Sequence, residues 1–130
     1  MATVTTKLTL SSSDLTSQIL SLSLSKAITA SHTTGLARTK VGQTAVHASA
    51  ALLYTADDYA ATAYIYIKNI DTTATNYIYV YDATTSGNPE ILKLAGGEFA
   101  FLPTNADMGL KAYGTNATSV VEWMVFGTDQ

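Results

Sequence analysis

Few side chains in this sequence can do chemistry, and their spacing argues against most of what they could do. His32 and His47 stand fifteen positions apart, with no third histidine or carboxylate at a ligand spacing, so neither a metal site nor a catalytic pair is expected of them. In TADDYAAT, Asp57 and Asp58 bring two hard oxygen donors together as a calcium loop would. The further Asp, Asn or Glu that would complete a shell is missing, so a solvated turn is expected. The serine-rich SSSD and SLSLS lack the glycine-flanked elbow that exposes a nucleophile. Gly96 and Gly97 precede Glu98 instead of a lysine or a helix start, which suits a turn and not a phosphate cradle. There is no cysteine, hence no disulfide and no thiolate ligand or nucleophile. Asn116, Ala117 and Thr118 spell a glycosylation sequon that is expected to be a chance match. No catalytic residue, metal ligand or cofactor site is assigned, and the chain is not expected to be an enzyme.

The composition points to a different kind of work. Charged residues make up 13% of the 130 residues, about half the usual share, and serine and threonine fill the polar positions instead. The net charge of −3 is unevenly spread. Lys7, Lys26, Arg38 and Lys40 face only Asp14 before residue 51, whereas the remainder sets nine acids against Lys68, Lys93 and Lys111. Such asymmetry can orient copies of a protein against one another or against a larger acidic surface. Basic residues are not clustered with aromatics, so nucleic acid is not an expected partner. MATVTTKLTL alternates polar and apolar residues and is not expected to act as a signal peptide, and no apolar run is long enough to expect a membrane span.

These residues are positioned by strands. Apolar residues recur mostly at period two, and Thr, Tyr, Val and Ile dominate. TVTTKLTL reads as an edge strand, Ser12 to Ser17 as a turn or short helix, and about Ile19 to Thr29 as a strand. SHTTGLARTKVG reads as a long loop, and about Gln43 to Tyr54 as a strand with Val46, Ala48, Ala50, Leu52 and Tyr54 on one face. TADDYAAT connects onward. AYIYIKNIDTTATNYIYVYDA then reads as a hairpin. With Asp71 to Ala74 as the loop, Ile70 meets Thr75, Ile67 meets Ile78, Ile65 meets Val80, Tyr66 meets Tyr79 and Tyr64 meets Tyr81. EILKLAGGEFAFLP reads as a second hairpin about a type I′ Gly96-Gly97 turn, with Leu94 beside Phe99 and Leu92 beside Phe101, all four in the core, and Pro103 ending the strand. DMGLKAYG is a further strand, and SVVEWMVFG, apolar on both faces, is a central one. The expectation is an all-β, single-domain antiparallel β-sandwich over residues 1–130, jelly-roll-like, with about eight strands.

In YIYIKNIDTTATNYIYVYD, LKLAGGEFAFLP and the closing EWMVFGTD, with GLARTKVG upstream, the chain resembles the small virion structural proteins of tailed bacteriophages, especially cyanophages. The resemblance implies a jelly-roll-like sandwich without catalytic residues, made in the host cytoplasm and built into the virion as a capsid decoration protein or a head or tail accessory. The implied partners are the major capsid protein or other virion proteins, and further copies of the chain in a homo-oligomer, with a trimer expected. The alternative is a receptor- or carbohydrate-binding module of a fibre. Tyrosine offers large contact area at low entropic cost, so the expected interface is Tyr64, Tyr66, Tyr77, Tyr79 and Tyr81, with Arg38 and Lys40. Residues 1–24, poor in acids, are expected to form an extended arm that contacts the assembly.

Overall fold

A computed structural model describes residues 1–43, 50–55, 59–84, 87–105 and 107–129. Eleven strands lie among them: β1 (Ala2–Ser12), β2 (Leu20–Ala30), β3 (His32–Thr33), β4 (Ala37–Lys40), β5 (Ala51–Tyr54), β6 (Tyr59–Asn69), β7 (Ile78–Asp82), β8 (Glu90–Leu94), β9 (Phe99–Asn105), β10 (Leu110–Gly114) and β11 (Val120–Asp129). The protein is an all-β sandwich. One sheet runs β4-β11-β6-β9, with the short β3 continuing the β4 lane along β11, and the other runs β5-β10-β7-β8. All pairings are antiparallel. The expected count of about eight includes β1 and β2, which lie in neither of these sheets, and leaves out the β3 and β4 lane, which reads as a loop in the sequence. β1 and β2 form a separate two-stranded hairpin.

Period two sets the core. Ile65 and Ile67 of β6, Ile78 and Val80 of β7, and Val121, Trp123 and Val125 of β11 point inward into one cluster, most of them fully buried. Trp123 is a core residue whose indole N–H donates to Thr39 Oγ1 at 3.0 Å. β11 is central, as its two apolar faces suggest, because its outward Phe126 is covered by Ile28 and Ala30 of β2. Tyr59, expected in a connecting loop, opens β6 instead. It is buried, donates its hydroxyl to the Val125 carbonyl at 3.1 Å and meets His32 edge-on at 5.1 Å.

Both expected hairpins are overturned. β6 is bonded on its two edges by β11 and β9, while β7 is bonded by β10 and β8 in the opposite sheet. Ile67 and Ile78 therefore belong to one core from facing sheets, not from neighbouring strands. The crossover is held by Asn69, buried at the end of β6. Its side-chain amide donates to the carbonyls of Asn76 (2.8 Å) and Leu94 (3.0 Å), and its Oδ1 accepts from the Asp71 N–H (3.1 Å). The Gly96-Gly97 segment likewise crosses between sheets, from β8 to β9. Glu98 N–H bonds back to the Ala95 carbonyl, and only Gly97 has a positive φ, at 85°, which is a type II turn and not type I′. A Cβ on Gly96 would lie 2.3 Å from the Thr73 carbonyl oxygen, so the two crossovers pack directly on each other. Leu94 is in the core and Leu92 packs against it, but Phe99 and Phe101 face outward, 65% and 41% exposed.

Two further readings change. Residues 31–42 do not form one long loop, because β3 and β4 pair with opposite ends of β11 and the Thr34 hydroxyl bonds to Val125. Of the strand expected from about Gln43 to Tyr54, the described residues are Gln43 and 50–54, of which only β5 is strand, and Val46, His47 and Ala48 lie outside the described residues. Leu52 does not share the buried face of Tyr54: it is exposed, since the β5–β10 ladder shifts register between Leu110 and Lys111.

Candidate interaction surfaces

The expected tyrosine face is divided between the two outer surfaces of the sandwich. With Ile78 and Val80 inward, β7 turns Tyr79 and Tyr81 out. Tyr79 lies in register with Tyr113 of β10 on one side and Lys93 of β8 on the other. Tyr113 stacks on both, its ring centroid 5.0 Å from Tyr79 and 5.6 Å from Tyr81, with planes 20° and 15° apart. The Lys93 ammonium sits 4.2 Å above the Tyr77 ring centroid and 5.6 Å from that of Tyr79, within cation–π range. Tyr81, stacked on the other side of Tyr113, is itself buried, and that burial, followed by its hydrogen bond to Tyr113, pushes its hydroxyl well above the ordinary tyrosine range. Lys93, Tyr79 and Tyr113 thus form an aromatic and cationic row across three adjacent strands, open to solvent on one side.

The other outer surface holds Tyr64, Tyr66, Arg38 and Lys40. Glu122 of β11 organises it: Arg38 Nε donates to Oε2 and the Tyr66 hydroxyl to Oε1, both at 2.9 Å. The bond from Tyr66 first, then that from Arg38, hold the Glu122 carboxyl below its usual range, while burial and the bond to Glu122 raise Tyr66. Tyr64 stacks on Phe126 at 5.6 Å and on Phe101 at 6.2 Å. The root of the β1–β2 hairpin covers this stack, with Val4, Ile28 and Ala30 against Phe126, Tyr64 and Met124. The same chain therefore covers Tyr64, and Arg38 is engaged by Glu122. Lys40, exposed at the end of β4, lies opposite Val120.

The hairpin itself carries a surface that composition does not reveal. β1 and β2, 11 residues each, pair along their whole length, so residues opposite one another share a face. One face reads Thr3/Thr29, Thr5/Ala27, Lys7/Ser25, Thr9/Ser23 and Ser11/Ser21. The other reads Val4/Ile28, Thr6/Lys26, Leu8/Leu24 and Leu10/Leu22. The expected arm of residues 1–24 takes in β1, the tip and the first part of β2, but the element extends to Ala30 and is already strand-paired with itself. Beyond its root the apolar face is bare: Leu8 and Leu10 are each 45% exposed and Leu24 55%. Across an open groove of about 520 Å³, Leu8 and Leu24 look onto Tyr66, Phe99 and Phe101. The legible signal was leucine at positions 8, 10, 20, 22 and 24 in an otherwise Ser/Thr-rich stretch.

Among the described residues no three His, Asp or Glu side chains gather as a metal site would require. His47, Asp57 and Asp58 lie outside the described residues. Asn116, the sequon residue, uses its Oδ1 to accept from Thr118 N–H and Oγ1 in a closed turn. Compared with protein-family models, curated proteins and solved structures, the chain matches none.

Proposed function

We propose that this chain is a non-enzymatic virion structural protein of a tailed phage, acting as a capsid decoration protein that stabilises the head by bridging neighbouring capsid subunits, and that it works as a homo-oligomer. The observation that carries this reading is the Lys93, Tyr79 and Tyr113 row. It is a stacked, preorganised aromatic surface on a sheet whose other face is buried in the hydrophobic core, which is the composition and rigidity that protein contacts favour. The strand order supports it too. β4-β11-β6-β9 facing β5-β10-β7-β8, with the chain crossing between sheets at nearly every connection, is read here as a jelly roll, an architecture that viral capsid domains use. Lys93 at the end of the row suits an acidic partner surface.

A carbohydrate-binding module is the second reading, favoured by the same stacked rings, which could serve as a sugar platform; Trp123, in the core, could not. Mass measurement of the protein alone and mixed with emptied phage heads separates the two. The decoration role predicts saturation of a fixed number of sites per head, greater resistance of the heads to heating, and weaker binding by Tyr79→Ser and Tyr113→Ser. Protein that ignores heads and binds host glycans would overturn it.

A further inference from the structure

The β1–β2 hairpin carries two complementary surfaces that its own geometry keeps apart. At its tip, Leu15 and Ile19 are 72% and 78% exposed beside Asp14, the one acid in the first 50 residues. At mid-length lies the groove between Leu8 and Leu24 on one wall and Phe99 and Phe101 on the other, with Lys7 and Lys26 at its edge. An apolar, acidic tip fits an apolar groove with a cationic edge. The tip cannot fold back into its own groove, because the ladder between them is continuously paired and four rows of strand span about 14 Å. A two-stranded ribbon with one bare apolar face is also marginal in water by itself.

The geometry points to reciprocal arm exchange between two copies of this chain, the tip of each hairpin seated in the groove of the other. Two tips and two grooves close on one two-fold axis, as an isologous contact requires. The charges set the register. Bringing Asp14 of one copy over the Thr6/Lys26 row of the other places the axis at the Leu10/Leu22 row, and the Leu8/Leu24 row of each copy then packs on the Ser12/Leu20 row of its mate. The contact is two-fold, in place of the trimer that the resemblance implies. It stands on the hairpin and the groove it forms with β9, and does not depend on the virion reading.

The absence of cysteine makes the register directly measurable with single spin labels on the polar face, away from the contact. Symmetry mates of a label at Ser23, one row from the axis, are offset along the arm by about 7 Å, and those of a label at Thr29, seven rows away, by about 48 Å. Pulsed dipolar spectroscopy on S23C and T29C should therefore give a short and a long distance respectively. In sedimentation the protein should be a dimer. L15S/I19S should weaken the dimer about a hundredfold or more. D14K and K26D should each weaken it several-fold, and D14K/K26D should recover it. All four residues are exposed, so folding is preserved. A monomer at about 100 μM, a trimer, equal distances at the two labels, or a dimer indifferent to L15S/I19S would each overturn the proposal.

Discussion

The sandwich and the hairpin are both built of strands with apolar residues at alternate positions, set between tyrosines in β6 and β7 and between serines and threonines in β1 and β2, and they end in opposite states. In the sandwich, Ile67, Ile78, Val80, Val121 and Val125 are all at 0% exposure. In the hairpin the ladder is complete, yet Leu8, Leu10 and Leu24 keep about half of their surface in water. Backbone pairing and side-chain burial are thus separate achievements. A ladder satisfies N–H and C=O groups within one layer, but apolar burial needs a second layer, which the sandwich finds within itself and the distal hairpin does not. Hydrophobic stabilisation therefore concentrates in one part of the chain, and most of the exposed large aliphatic side chains lie in the other.

Substitutions should separate the two regions by size of effect. Ile67→Ala or Ile78→Ala, each opening a cavity in the shared core, should cost about 3 kcal/mol in denaturant unfolding. Asn69→Leu should cost about 2 to 3 kcal/mol, since it strands the Asn76 and Leu94 carbonyls and the Asp71 N–H where two crossovers meet. Gly96→Ala, which forces a methyl onto the Thr73 carbonyl, should cost about 1 to 2 kcal/mol by the same measurement. Leu10→Ser in the bare arm should change the stability of the monomeric fold by less than about 0.5 kcal/mol. A loss at Leu10 comparable to that at Ile67 would erase the distinction.

A smaller effect concerns acid. The Asp71 carboxyl is held below its usual range, first by the Thr73 N–H and then by the Asn76 side-chain amide, and Glu122 by Tyr66 and then Arg38. Both have folded-state pKa values below their unfolded ones, near 4. Their stabilisation is complete above that value and is lost as pH falls through the depressed folded values. Melting temperature should therefore decline below about pH 4, and Asp71→Asn should make that decline shallower, with a modest loss at neutral pH.

In β6 and β7 the inward face is legible in the sequence, because a side-chain period of two survives any choice of neighbour: Ile65, Ile67, Ile78 and Val80 are inward whichever strands lie beside them. Pairing is not legible, because that period assigns a residue to a face and not to a partner. Matching Ile67 with Ile78 is satisfied equally by neighbouring strands and by facing sheets, and the crossover is tied by the Asn69 network, whose backbone partners at Asn76 and Leu94, 7 and 25 residues on, carry no side-chain signal in the sequence. The same ambiguity hides the candidate surfaces. Tyr66 and Tyr79 look like a cross-strand pair but occupy opposite outer faces, and Tyr113, which stacks on Tyr79 and Tyr81, carries no local mark in DMGLKAYG. Phe99 and Phe101 read as core because they are phenylalanine, yet they form one wall of the groove.

Amide hydrogen exchange followed across protein concentration tests the division of labour between body and arm most directly. Dilute protein should exchange quickly at the distal arm, Leu8 to Ser12 and Leu20 to Leu24, while amides of β6 and β11 open only with global unfolding. As concentration rises through the dimer range, protection should appear in the distal arm and stay unchanged in the body. Arm amides as protected as those of β6 in dilute protein, or indifferent to concentration, would contradict the account.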